Sequence, residues 1–127
     1  MIVAVNSRLL IGLVAFIIIL LGGGVYLLSQ GSKPNPEIDK FAQCIGSAKL
    51  TMYGAYWCPH CQSQKKLFGE SFKYVPYVEC TQQEKLCIEK KIDGYPTWID
   101  DDGNRYSGEL SFQKISEITS CPLPKTN

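Results

Sequence analysis

The chain has 127 residues, 45% of them hydrophobic and 20% charged, and its 13 Lys and Arg against 12 Asp and Glu leave a net charge of +1. That length admits one folded domain of ordinary size. The near balance of charge excludes the one-signed basic surface of a nucleic-acid binder, and the short pairs Lys65-Lys66 and Lys90-Lys91 read as solvated helix faces.

From Leu9 to Leu28 the chain reads LLIGLVAFIIILLGGGVYLL, without a charge. About 20 such residues span the hydrocarbon core of a bilayer as a helix, and the polar face of a helix packed on a soluble core is missing. A cleaved signal sequence is the competing reading. Its apolar region runs about 7 to 15 residues and ends in an A-x-A-like site, to which Gly22-Gly23-Gly24 and Ser29-Gln30-Gly31 are poor matches. Residues 9–28 are therefore expected to be a transmembrane signal anchor. Arg8 precedes the segment, so residues 1–8 are expected in the cytoplasm and the rest outside it, in a periplasm, the cell exterior or a lumen. Lys33 and Lys40 add positive charge on the far side and weaken that orientation.

Residues 29–36 form a short polar linker, and the elements of a folded domain follow over 37–122, with a tail at 123–127. Ile38, Phe41, Ala42 and Ile45 make one stripe of a helix over 37–46. Lys49 to Tyr56 is a short apolar strand, and Pro59, suited to a first helical turn, opens a helix to about Gly69. Lys73 to Cys80 returns to strand, with Pro76 hinting at a sheet edge. Thr81 and Glu84 have capping-box spacing at the head of a helix over 82–92. Tyr95–Ile99 and Arg105–Glu109 flank the turn Asp-Asp-Gly-Asn as an antiparallel hairpin, and Ser111 opens a last helix with Phe112, Ile115 and Ile118 on one face. A strand–helix–strand unit followed by a hairpin and a helix calls for an α/β fold, a small mixed sheet covered by helices.

Six cysteines follow the apolar segment and none precedes it. An even count in a small exported domain points to disulfides, which would help a domain of about 90 residues whose single core is near the lower limit of sufficiency. Two of them stand in Tyr-Trp-Cys-Pro-His-Cys, residues 56–61. At a strand end, with Pro59 starting a helix, Cys58 sits beside unpaired N–H groups and the positive end of the helix dipole. That setting favours thiolate and makes Cys58 the expected nucleophile. Cys61, three residues on, returns to nearly the same helix face and can resolve a mixed disulfide. His60, the only histidine, is expected with Pro59 to tune the Cys58 thiolate; its plain alternative is an exposed helix residue. A zinc site would need a second close pair of ligands, and Cys80 with Cys87 is a poor one, so no metal is expected. Pro96, in Gly-Tyr-Pro-Thr-Trp, is a turn proline or a cis proline facing the dithiol, where the Tyr95 backbone would pair with an extended peptide.

Trp-Cys-x-x-Cys between a strand and a helix, with Pro-Thr before a later strand, resembles the thioredoxin superfamily over roughly Glu37 to Cys121. The Cys-Pro-His-Cys motif is similar to that of DsbA-type disulfide oxidases. The longer string MYGAYWCPHCQSQKKLFGESFKYVPYVEC with GYPTW resembles the thioredoxin-like domain fused to, or working beside, vitamin K epoxide reductase homologues. The resemblance implies a four-stranded thioredoxin-like fold, Cys58 as attacking and Cys61 as resolving thiol, Pro96 as a cis proline, and Tyr95 as its substrate-facing neighbour. It also implies reoxidation by a quinone-linked, vitamin K epoxide reductase-like membrane protein supplied in trans, since this chain has one membrane segment. Many relatives carry a buried carboxylate six residues before the first cysteine; here that residue is Met52, so help with proton transfer must come from elsewhere or be absent.

With Cys58 and Cys61 set aside, the other four cysteines allow three pairings. Cys80 with Cys87, and Cys44 with Cys121, are the expected ones, as staples or, for Cys80–Cys87, as a redox relay. Together these readings describe a membrane-anchored, extracytoplasmic enzyme that oxidises protein thiols without a cofactor beyond its own disulfide. Trp57, Tyr95 and Pro96 would touch substrate, with Tyr56 on the same apolar rim. The alternatives are a reductase or isomerase of the same fold, or a tethered, non-catalytic binding module in which Cys58 and Cys61 are structural.

Overall fold

The computed structural model describes residues 7–28 and 35–125. Most of the expected linker, residues 29–34, lies outside them, as do residues 1–6 and 126–127. The chain divides into two units, Met1–Lys33 and Pro34–Asn127. The first holds helix α1, Ser7–Leu28, whose described side chains from Leu10 to Gly22 are all exposed. Among the described residues no helix is long and apolar enough to cross a membrane; the expected membrane span runs on to Leu28, past the side chains described.

In the second unit the order is α2 (Pro36–Ser47), β1 (Thr51–Gly54), α3 (Pro59–Phe68), a 3-10 helix (Gly69–Tyr74), β2 (Tyr77–Glu79), α4 (Glu84–Glu89), β3 (Thr97–Ile99), β4 (Arg105–Ser107) and α5 (Phe112–Thr119). The sheet order is β2-β1-β3-β4. β1 runs parallel to β2, with Met52 beside Tyr77 and Gly54 beside Glu79, and antiparallel to β3, with Met52 beside Trp98. This mixed four-stranded sheet with covering helices is the α/β arrangement expected from the order of elements in the sequence.

Local chemistry sets the element ends. The Asn35 side chain accepts the Glu37 N–H at 3.0 Å and Pro36 opens α2, as an N-cap and a first-turn proline do. Ser111 accepts the Lys114 N–H at 3.1 Å and starts α5. Asp100 Oδ1 accepts the Asn104 N–H at 2.8 Å in the turn between β3 and β4, where Gly103 has φ +85°, a conformation that suits glycine.

Alternation along β1 divides the core. Met52, with Trp98, Phe41, Phe68, Ile45, Ile115, Cys58 and Cys61, belongs to the larger cluster; Tyr53, with Ile99, Cys80 and Cys87, belongs to a smaller one on the opposite face. The expected stripe of α2 faces the larger cluster, with Phe41, Ala42 and Ile45 buried and Ile38 packed against it.

Three sequence expectations need correction. The strand expected over 73–80 is confined to Tyr77–Glu79, because Gly69–Tyr74 winds into a 3-10 helix. The helix expected over 82–92 is only Glu84–Glu89; Lys91, at φ 52°, turns the chain out of helical geometry. Thr81 does not cap that helix: its hydroxyl donates to Glu79 at 2.8 Å, and Gln83 occupies the cap position without a side-chain bond.

Candidate active site

The strand β1 delivers the chain to a short turn at Ala55–Trp57, and α3 begins immediately after Cys58. Cys58 is the N-cap of that helix, in extended geometry, with no side-chain cap bond of its own. Its N–H donates to the Ala55 carbonyl at 3.1 Å, and Pro59 fills the first helical position, where a missing N–H costs nothing. The Cys58 sulfur therefore stands where the helix presents its unpaired N–H groups and partial positive charge. Cys58 is 5% exposed and Cys61 0%, so an approaching sulfur meets Cys58 first. Both are free thiols.

Tyr95–Pro96 is a cis peptide, and the Cys58 thiol lies 3.6 Å from the Tyr95 carbonyl oxygen, to which it donates. Pro96 is buried. Trp57 and Tyr56 are exposed beside the dithiol, and the Trp57 ring meets that of Tyr95 edge-on with centroids 6.0 Å apart. The fold thus brings Trp57, Cys58, Cys61, Tyr95 and Pro96 together at one end of the two central strands, β1 and β3.

His60 is exposed and its Nδ1 lies 2.7 Å from Glu109 Oε1. The imidazole is thus engaged with a carboxylate beyond β4, and its hydrogen bond is to that group rather than to Cys58. Farther along α3, buried Gln64 donates to the Leu110 carbonyl at 3.0 Å and accepts the Leu110 N–H at 2.6 Å, fixing the helix to the segment that follows β4. Cys44 is bonded to Cys121 and Cys80 to Cys87. The second of these bridges lies on the opposite face of the sheet from Cys58 and Cys61. Among the described residues no group of three His, Cys, Asp or Glu side chains is placed to hold a metal ion.

Burial pushes the Cys61 thiol up to about 11; the Ala55 backbone beside it acts the other way, the neighbouring Cys58 raises it further, and Lys65 lowers it. Cys61 is thus a buried thiol that holds its proton at neutral pH.

Sequence reasoning overlooked the residues around that buried sulfur. A methyl carbon on Gly54 would fall 2.7 Å from Cys61 Sγ and 3.4 Å from the Tyr77 hydroxyl, so residue 54 admits no side chain without displacement. The Tyr77 hydroxyl donates to Glu79 Oε2 at 2.6 Å. Glu79 Oε1 accepts from the Tyr56 N–H at 3.2 Å, the Thr81 N–H at 3.3 Å and the Thr81 hydroxyl. Burial would raise this carboxyl, but its hydrogen bonds from Tyr77, Thr81 and Tyr56 prevail and hold it below the usual carboxylate range. Burial, then the bond to Glu79, raises the Tyr77 phenol. Lys65 Nζ lies 3.8 Å from the centre of the Tyr77 ring. The available signal was the Tyr-x-Glu spacing of β2, which sends both side chains to the face that carries the dithiol.

No family model matches the chain. It is 37% identical to the thiol-disulfide oxidoreductase LTO1 of Arabidopsis thaliana over a match covering 76% of this chain and 28% of that protein. It is 31% identical to the thioredoxin domain-containing protein 5 homolog of Drosophila melanogaster, covering 69% of this chain and 25% of that one. The chain thus spans about a quarter of the length of these relatives. Among solved structures, the NTD_N/C domain of alkylhydroperoxide reductase AhpF from Enterococcus faecalis aligns with a TM-score of 0.48 at 19% identity, covering 72% of this chain and 46% of the other.

Proposed function

We propose that this thioredoxin-like chain is a thiol–disulfide oxidoreductase, anchored in a membrane by α1 and working outside the cytoplasm to oxidise protein thiols. The observation that carries the reading is the dithiol itself: one sulfur at the mouth of α3, the other fully buried one turn behind it. Similarity to a thiol-disulfide oxidoreductase and to a thioredoxin domain-containing protein supports the same chemistry.

In the oxidised enzyme a substrate thiolate attacks Cys58 Sγ. The Cys58–Cys61 bond breaks, Cys61 leaves as thiolate, and a mixed disulfide joins Cys58 to the substrate. A second substrate thiolate then attacks its own disulfide-bonded sulfur, which releases Cys58 as thiolate and leaves the substrate with a disulfide and the enzyme with two thiols. In that last step the departing Cys58 sulfur stands beside the free N–H groups and partial positive charge of the helix mouth. Exposed Trp57 and Tyr56, with Tyr95, offer an apolar rim for unfolded substrate segments, and the Tyr95 backbone beside Pro96 offers strand-like pairing. A quinone-linked membrane protein of the vitamin K epoxide reductase type is the proposed oxidant that restores the disulfide. The anchor rests on the 20 uncharged residues from Leu9 and on the exposed apolar side chains of α1.

Two measurements test this. A Cys61→Ala variant in its own cell envelope is expected to accumulate mixed disulfides with exported proteins; capture of none overturns the enzyme reading. The reduction potential is expected towards the oxidising end, about −120 mV, and a value near about −270 mV reassigns the chain to substrate reduction.

A further inference from the structure

The resolving thiol must lose its proton each time it attacks and regain one each time it is displaced, yet Cys61 is fully buried and its neighbour on β1, Met52, has nothing to exchange. We propose that Tyr77 and Glu79 are the proton relay of Cys61, with Gly54 keeping the passage between them open. The inference rests on the thiol–disulfide chemistry proposed above.

Parallel pairing sets Tyr77 beside Met52 and Glu79 beside Gly54, so two alternate residues of β2 flank the strand end that carries the dithiol. The bare Cα of Gly54 leaves the space between Cys61 Sγ and the Tyr77 hydroxyl free of side chain. Tyr77 passes its hydrogen bond to Glu79, and Glu79 reaches the exposed turn through Tyr56 and Thr81. Among the described residues, the charged and titratable groups that act on Cys61 are Cys58 and Lys65 from α3 and Tyr77 from β2; Glu79 is bonded to Tyr77, Tyr95 faces Cys58, and His60 is turned to Glu109.

When Cys61 attacks a mixed disulfide on Cys58, its S–H proton passes to the Tyr77 oxygen, directly or across one water, as the Tyr77 hydroxyl proton passes to the Glu79 carboxylate. The Cys61 sulfur pair forms the bond to Cys58 Sγ, the bond from Cys58 to the partner sulfur breaks, and the partner leaves as thiolate with both electrons. Glu79 then yields its proton to water. When substrate thiolate opens the Cys58–Cys61 disulfide, the same path runs backwards and protonates Cys61. Tyr77 is neutral before and after, consistent with a phenol held against ionisation by burial and by Glu79.

The test uses the full chain, reduced, mixed with oxidised glutathione and quenched with acid at intervals. Mass spectrometry follows formation of the glutathione adduct on Cys58 and its release by Cys61. Tyr77→Phe keeps the ring under Lys65 and leaves Glu79 bound to Tyr56 and Thr81. It is expected to leave adduct formation unchanged and to prolong the adduct lifetime at least about tenfold at pH 7, with the defect shrinking as pH approaches 11. Glu79→Gln is expected to prolong it likewise. A Tyr77→Phe adduct lifetime and pH profile equal to wild type overturn the relay while the oxidoreductase reading stands. A wild-type chain that forms no adduct overturns both.

Discussion

At residue 54 the distance between a backbone carbon and a sulfur decides what the chain tolerates. A side-chain carbon there would stand 2.7 Å from Cys61 Sγ and 3.2 Å from the Tyr77 ring; Cys61 is fully buried, and the half-buried Tyr77 is tied by its hydroxyl to Glu79. Gly54→Ala is expected to lower stability by about 1–3 kcal/mol, as overpacking of a filled core does, and to slow closure of the Cys58–Cys61 disulfide; urea unfolding and thiol-exchange kinetics check the two effects. Cys61 itself makes stability depend on pH. Its thiol is raised from an ordinary 9.0 to about 11 by burial. Below about pH 9 it is protonated in folded and unfolded chains alike, so nothing is lost. As pH rises towards 11 the unfolded chain sheds the proton first, and the reduced protein loses stability. The oxidised protein has no such thiol. Urea midpoints of the two forms are expected to diverge between pH 9 and 11, with the reduced form falling faster, and parallel curves would refute the burial argument.

Among the elements, the two disulfides differ in what they tie. Cys44–Cys121 joins α2 to the second residue beyond α5 across a separation of 77, whereas Cys80–Cys87 spans 7. By loop-closure entropy the long bridge stabilises by about 4–5 kcal/mol and the short one by about 2 kcal/mol less. Replacing Cys44 and Cys121 by Ala is therefore expected to lower the thermal midpoint more than replacing Cys80 and Cys87, measured calorimetrically on the two double variants. Helix stripes and the hairpin were legible because apolar period and turn chemistry are local: Phe41, Ala42 and Ile45, or Asp100 to Asn104, declare themselves within one turn. The ends of β2 were not, because nothing in Gly69–Tyr74 alone distinguishes a 3-10 helix from the approach to a strand. Thr81 was misread for a related reason. Its hydroxyl could accept from the N–H groups of the helix start or donate to Glu79, two residues back, and it does the second. The dithiol was visible in Trp-Cys-Pro-His-Cys, but Tyr77 comes close to Gly54 and Cys61, and Glu79 beside Gly54, only when β1 and β2 pair in register, a contact between strands that no single window of sequence contains.

On the scale of the whole chain, two units with different surfaces must be reconciled. Pro34–Asn127 has its own core and sheet, both disulfides fall within it, and it carries ion pairs at its surface, such as Lys49–Asp101 at 2.9 Å. Helix α1 is the converse: its described apolar side chains, Leu10, Ile11, Leu13, Val14 and Phe16 through Leu21, are about half exposed or more, on all sides of the helix. Burial of such a surface contributes roughly 25 cal/mol per Å², and a bilayer can cover every side of it at once, which one face of a folded domain cannot. Residues 34–127 expressed alone in an oxidising compartment are therefore expected to fold, remain soluble and exchange disulfides with oxidised glutathione at the rate of the full chain. The full chain is expected to stay with the membrane fraction after an alkaline carbonate wash. Release of the intact full chain by that wash would remove the anchor from the proposed function and leave the dithiol chemistry untouched. Loss of folding in the shorter chain would mean instead that the apolar helix is part of the domain's core.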